Sequence, residues 1–166
     1  MEKLYNENNQ KRMYALDEEG VLRIFHRDKS TGIIIRDFVK KDAKPYYNSM
    51  LRKNSTKLTA KELNQFVERF EKLIESRDME NDSKFSLVIT TITGKIIGVI
   101  NVEEKSQEEG YTAYLKICVK DDYVIKQKGE AVVETIKNLQ HTYQWRDCIF
   151  VKDEDDNIVP LEEAVA

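Results

Sequence analysis

The chain is poor in the features that mark most specialised classes of protein. Two prolines and six glycines in 166 residues exclude collagen-like and linker sequence. Apolar runs are short: Ile33-Ile34-Ile35 stands far below the ~20 residues that cross a bilayer, so no membrane-spanning helix is expected. Residues 1–10 are polar and mixed in charge, without the apolar centre of a secretory signal. We expect that stretch to be loosely held and the protein to be cytoplasmic. The two cysteines, Cys118 and Cys148, each sit inside an apolar run, which predicts buried, reduced thiols. The two histidines, His26 and His141, have no companion at ligand spacing, and Asp153-Glu154-Asp155-Asp156 lacks the spacing and glycine of a calcium loop, so no metal site is expected. Excess basic charge is missing as well. Lys and Arg total 27 against 30 Asp and Glu, a net charge of −3, which argues against holding a nucleic-acid backbone.

What is present is a folding composition. Hydrophobic residues make up 40% and charged residues 34%, enough apolar side chain to close a sizeable core. We read residues 1–166 as one domain with no internal repeat, ending in an acidic tail over 153–166. Residues 12–16, 21–26 and 33–38 read as an antiparallel meander, because Asp17-Glu18-Glu19-Gly20 and Asp28-Lys29-Ser30-Thr31-Gly32 are turn sequences. Asp42 is suited to cap a helix from Ala43, with Pro45 tolerated in its first turn. Thr59-Ala60-Lys61-Glu62 is a capping box, and Leu63, Phe66, Val67, Phe70 and Ile74 recur behind it at helical spacing. Residues 85–92 and 95–102 read as a hairpin about Thr93-Gly94, where Gly98 predicts a bulge or a close backbone approach. Residues 103–110 read as a charged loop and 111–120 as a strand. A helix follows from about Gly129, with Val132, Val133, Ile136 and Leu139 on one face, and then a strand over 148–151. Strand, helix, strand implies a right-handed parallel crossover. The fold class is α/β (α+β in some schemes), a mixed, mainly antiparallel sheet flanked by helices.

Lys126-Gln127-Lys128-Gly129-Glu130-Ala131 opens the expected third long helix. A first helical turn carries unpaired amides and the positive end of the dipole. Gly129 lets a phosphate approach the backbone, Ala131 keeps the next turn low, and Lys126 and Lys128 add positive charge. Such a turn suits a pyrophosphate. A glycine there also serves as plain helix entry.

The order strand, two helices, hairpin with a mid-strand glycine, strand, basic glycine loop with helix, strand resembles the Gcn5-related N-acetyltransferase family over roughly residues 33–152. Ile33-Ile34-Ile35-Arg36-Asp37-Phe38 is similar to its first strand and Gly94-Lys95-Ile96-Ile97-Gly98-Val99-Ile100 to its second hairpin. Lys126 to Ala131 is similar to its pyrophosphate loop, Arg or Gln, two residues, Gly, one residue, Gly or Ala. The resemblance implies an acyl-CoA N-acyltransferase-like fold with an extra N-terminal β meander and a shortened C-terminus. It implies acetyl-CoA as co-substrate, its pyrophosphate held around Lys126, Gln127, Lys128, Gly129, Glu130 and Ala131, and its pantetheine arm paired with the backbone of Ile117 and Val119. A small-molecule or protein amine would attack the thioester directly. Lys126 departs from the usual Arg or Gln. Tyr114 stands where a fourth-strand carboxylate is common, so Glu103 or Glu104 is expected to serve as base and Tyr123 or solvent to protonate the thiolate. The alternative is a catalytically weak or inactive member of the fold with a binding or regulatory role. The strand over 148–151 would be a sheet edge, covered by the N-terminal meander or by a second copy in a homodimer.

Overall fold

The computed structural model describes residues 14–52, 57–79, 81–119, 121–143, 145–152 and 157–165, with 121–128 described by their backbone alone. Eight strands form one sheet in chain order: β1 (Tyr14–Leu16), β2 (Leu22–Asp28), β3 (Ile33–Asp37), β4 (Lys84–Thr91), β5 (Ile96–Gln107), β6 (Gly110–Val119), β7 (Asp147–Lys152) and β8 (Asn157–Val159). Every neighbouring pair is antiparallel except β6 and β7, which are parallel and joined by the helix α3 (Asp121–Tyr143). The expected crossover is therefore present.

Local chemistry sets the hairpins. Asp17 Oδ1 accepts from the amides of Glu19 and Val21, both at 2.9 Å, and Gly20 takes φ +79°, a left-handed value that glycine reaches without strain. In the β4–β5 hairpin the register slips beside Ile89, which pairs with Gly98 while Thr90 pairs with Ile96. Ile97 is the extra residue of a bulge. A Cβ at Gly98 would meet the Cys118 carbonyl oxygen at 2.8 Å, so the expected bulge and the expected close approach occur together.

The sheet buries both faces. Toward α3, strand residues such as Ile35, Leu87, Ile89, Ile100 and Leu115 pack on Val132, Ile136 and Leu139, all fully buried. Each such side chain is worth about 1.5–3 kcal/mol in transfer free energy. Thr135 and Asn138 fix the helix laterally: Thr135 Oγ1 lies 2.6 Å from Thr31 Oγ1, and Asn138 Nδ2 donates to Asp28 Oδ2 at 2.5 Å. On the opposite face Val88, Ile96 and Val99 pack on Phe38, Phe70 and Ile74. This layer consists of α1 (Ala43–Tyr46), which runs on into a π-helical turn over Tyr47–Leu51, and α2 (Ala60–Ser76). Thr59 and Glu62 form the expected capping box, each bonding the other's amide at 3.2 Å. Arg23 of β2 donates to the Ile74 carbonyl at the α2 C-terminus, and Arg77 Nε lies 3.0 Å from Asp37, which is 2% exposed.

Five expectations are corrected. Asp42 does not cap α1. A 3₁₀ turn over Lys40–Asp42 precedes that helix, and the carboxylate instead accepts from Arg36 at 2.7 and 2.9 Å and from the Val39 amide at 2.8 Å. Residues 103–110 are not a loop: β5 and β6 stay paired to Gln107↔Gly110, since alternating polar side chains suit a solvent-facing hairpin arm. Helix α3 starts at Asp121, because nothing in 121–128 breaks a helix and two Asp residues favour its N-terminus. The C-terminal stretch is more than a tail. Within it, β8 pairs with β7, and α4 (Leu161–Val165) buries Leu161, Ala164 and Val165 in the α3-side core. The edge at 148–151 is consequently taken at its end by β8, while the N-terminal meander joins the far side of the sheet, beyond β3. Residues 1–13 and 153–156 lie outside the described residues.

Candidate functional site

Strand β6 outruns its parallel neighbour. Their pairing runs from Thr112↔Asp147 to Lys116↔Val151, and β6 then continues through 117–119. On its other side β6 stays paired with β5 as far as Gly98↔Val119. Alternate residues of 117–119 therefore turn backbone N–H and C=O groups toward the β7 side, where no strand meets them among the described residues. The run is held rigid on one side and open on the other. Gly98 sets its position, because only a residue without Cβ lets β5 lie this close to Cys118 and Val119.

The sequence-derived residues separate around this cleft. Ile117 and Val119 lie in the open run. Glu103 pairs with Tyr114, four residues along β6 from Cys118, or about 13 Å at ~3.3 Å per residue. Its carboxylate is 3.9 Å from Lys84 Nζ. Reaching a thioester beside Cys118 from there requires intervening water. Glu104 is placed differently from Glu103. It faces the α3 side of the sheet and accepts from Trp145 Nε1 at 2.8 Å, with Trp145 in turn stacked on Tyr143 at 4.8 Å. Glu104 therefore satisfies a buried indole and lies across the sheet from α1.

The expected glycine loop lies within α3. Gly129 lies eight residues in from Asp121, so the amides of Gln127 to Ala131 belong to the helix interior and not to its first turn. Interior amides bond the carbonyls four residues back and are not open to a phosphate. Tyr123, Lys126, Gln127 and Lys128 fall in the stretch described by backbone alone. Cys118 was expected to be buried and is exposed. Cys148 is half-buried, and burial, with the charge of Asp147, pushes its thiol up to about 12.

Tyr46 is a residue that sequence reading missed. It packs edge-on against Phe38 at 5.0 Å, in the cluster that contains Val99, the register partner of Cys118. Its hydroxyl lies within electrostatic range of the Cys118 thiol, and burial first, then that thiol, raise its pKa. Tyr46 remains a neutral hydrogen-bond donor at physiological pH. A tyrosine in a short helix carries no motif, so only tertiary placement reveals it. Among the described residues no three His, Cys, Asp or Glu side chains converge as a metal site, and no helix is long and apolar enough to cross a membrane.

No family model and no curated relative matches the sequence. Solved structures do match in three dimensions. RimJ from Mycobacterium smegmatis, solved in complex with CoA-disulfide, superposes with a TM-score of 0.54 at 10% identity over 86% of this chain and 71% of its own. A putative ribosomal-protein-serine acetyltransferase from Vibrio cholerae gives 0.51 at 13% identity, covering 80% of this chain and 76% of that one. Ribosomal-protein-S5-alanine acetyltransferase from Vibrio fischeri gives 0.50 at 15% identity, covering 76% and 73%. Identities this low speak for architecture alone: the chain shares the mixed α/β fold of these acetyltransferase structures.

Proposed function

We propose that the protein is an acetyl-CoA-dependent N-acetyltransferase acting on an amine. The unpaired run 117–119 of β6 carries this reading. The pantetheine arm is an extended chain with two amides, and it would add to this edge as a strand adds to a sheet, with the backbone of Ile117 and Val119 as partners. The thioester would then face the α1 side. A neutral amine attacks its carbonyl carbon, the N–C bond forms and the C–S bond breaks. The amine proton leaves through water toward Glu103, and the thiolate takes a proton from solvent, with the Tyr46 hydroxyl as a nearby donor to the developing charge.

The pyrophosphate does not fit α3 as it stands. The amides around Gly129 lie inside the helix and are already bonded. We infer that binding unwinds α3 up to Gly129, a residue that weakens a helix interior by about 1 kcal/mol relative to Ala.

The same helix start favours a second reading, a non-catalytic protein of this fold with a binding or regulatory role. Calorimetric titration with acetyl-CoA separates the two. The transferase reading expects saturable heat, loss of far-UV helical signal on binding, and acetyl transfer to an amine. Absence of binding by acetyl-CoA and by CoA would refute it and leave the second reading.

A further inference from the structure

On the face of the sheet that carries α1 and α2, the helical layer reaches only part of the way across. Its core contains Val88 of β4 and Ile96 and Val99 of β5, and no residue of β6, β7 or β8 among the described residues. Register carries the same face onward. Val99 pairs with Cys118. Two residues back along β6, Lys116 pairs with Val151 of β7, and Val151 pairs with Ile158 of β8. Two residues further back, Tyr114 pairs with Ile149. Register partners share a face, and alternate residues of a strand return to it. Lys116 already has an interaction of its own. The rest of these two rows, Tyr114, Ile149, Val151 and Ile158, is apolar, and none of the four joins either core cluster among the described residues. Ile158 is 73% exposed, although its pairing with Val151 fixes its position. Cys118 is exposed as well. From Cys118 the Val151–Ile158 row lies about 7 Å along the strands, and Ile158 stands two strands across, about 10 Å.

We propose that the acceptor is an amine carrying an uncharged aliphatic or aromatic group about 7–12 Å from its nucleophilic nitrogen, that group being seated on Val151 and Ile158. This rests on the transferase reading and names the substrate class for that site. The reaction itself brings an occupant to this face. The thioester lies beside Cys118 and faces the α1 side, so the body of an attacking amine extends over the rows of β6, β7 and β8 that the helices leave uncovered. An apolar body there removes Ile158 from water, which is favourable in proportion to the area covered. The arrangement also serves the chemistry. Apolar surroundings disfavour the ammonium form of the amine and so raise the fraction present as nucleophile. A polyamine is disfavoured, because its distal ammonium would lose water against Val151 and Ile158. The apolar group takes no part in bond making. The amine nitrogen acquires the acetyl group, CoA leaves as the thiol, and the amine proton goes to water.

The test uses the full chain, after calorimetry has established acetyl-CoA binding. Initial rates of acetylation are followed by mass spectrometry for n-propylamine, n-heptylamine, spermidine and two peptides that begin Ala-Gly-Ile and Ala-Gly-Glu. The two alkylamines have the same basicity, so chain length is the single variable between them. A buried methylene contributes about three- to fourfold, so kcat/KM should be about tenfold or more higher for n-heptylamine than for n-propylamine, or for the Ile peptide than for the Glu peptide. The pair that shows the difference identifies whether the apolar group belongs to a small amine or to a protein N-terminus. Ile158→Ser should cut that preference to about threefold or less, and Ile158→Val should keep most of it. Acetyl-CoA affinity and the thermal midpoint should stay at the parent values in both, because the side chain is 73% exposed. Equal rates within both pairs, preference for spermidine, or a preference unchanged in Ile158→Ser would overturn the acceptor inference and leave the transferase reading standing. A dimer in sedimentation equilibrium that Ile158→Ser dissociates would also overturn it, since a second copy would then occupy this face. Binding of acetyl-CoA with no acetylation of any probe would overturn the acceptor inference alone, whereas failure of acetyl-CoA to bind would overturn both.

Discussion

Replacing Gly98 by Ala probes the contact that sets the open run of β6. The new Cβ would lie 2.8 Å from the Cys118 carbonyl oxygen, 3.1 Å from Ile89 Cδ1 and 3.4 Å from Val119 Cα. The shortest contact is with backbone, so no rotamer change relieves it. β6 is laddered to β5 from Gly98↔Val119 onward, and it can retreat only by stretching those hydrogen bonds. Overpacking of this kind costs about 1–3 kcal/mol. In a chain of this size each kcal/mol lowers the melting point by about 2–4 °C, so a fall of roughly 2–12 °C is expected by thermal denaturation. The displaced atoms also belong to the proposed pantetheine edge, so acetyl-CoA affinity should drop with stability. Gly20→Ala is the control. Gly20 has φ +79° and no atom within 4 Å of an added Cβ, so that variant pays only the left-handed backbone penalty of about 1–2 kcal/mol. It lies in the β1–β2 turn and should leave acetyl-CoA affinity unchanged. A Gly98→Ala protein that melts with the parent would refute the close approach of β5 to β6, and with it the account of how the cleft is shaped.

Arg77→Met removes the ion-pair partner of Asp37 and should cost about 3–5 kcal/mol in urea denaturation. Burial already raises the Asp37 pKa and Arg77 opposes that rise; a carboxyl raised further is relieved when protonated, so the loss should be largest near neutrality and shrink in mild acid. Asp28 has the opposite sign: burial pushes its pKa up, but the hydrogen bonds from Ser30 and Asn138 outweigh it and leave it lowered. Its contribution is present above the ordinary carboxylate range and disappears as pH falls through the lowered value, so the stability gap between Asp28→Asn and parent should close only in acid. Glu104→Leu leaves the Trp145 indole N–H without its acceptor and should cost about 1–3 kcal/mol without altering acetyl-CoA titration; a change in binding at unchanged stability would contradict the placement of Glu104. Gly129→Ala should raise stability by about 0.5–1 kcal/mol and weaken acetyl-CoA binding, because α3 then resists unwinding; tighter binding would contradict that step.

The strands and α2 were legible because their signals are local. Gly20, Gly32 and Gly94 take positive φ in the hairpin turns, and Leu63 to Ile74 carries its period in plain sight. The mid-strand Gly98 announced both a bulge and a close contact. The start of α3 was not legible, since 121–128 has no apolar period and the glycine at 129 looked like an entry point. The ending was hidden by the acidic run that precedes it: Val159, Leu161, Ala164 and Val165 are apolar at irregular spacing and find their places only against β7 and α3. Ile117 and Val119 came only from the family resemblance, and no local pattern in the sequence marks them. Nor could Glu104 be sent to the α3 face before β5 was known to extend through Gln107.

The C-terminal elements explain why the cleft beside β6 stays open. β8 pairs with β7 at Phe150↔Val159, Val151↔Ile158 and Lys152↔Asn157, the end of β7 where its contact with β6 stops. Pro160 ends that short strand and its carbonyl accepts the amides of Glu163 and Ala164, starting α4. Lys152 Nζ then donates to the Glu163 carbonyl at 2.9 Å, while Leu161, Ala164 and Val165 anchor α4 in the core under α3. Val151 is thus bonded across to β8 as β6 runs on past it. If β7 followed β6 to its end instead, the backbone groups of 117–119 would be satisfied within the sheet and no extended ligand could pair with them. The apolar residues after the acidic run hold the end of β7 on its outer side, and among the described residues no strand lies beside 117–119 of β6 on the β7 side.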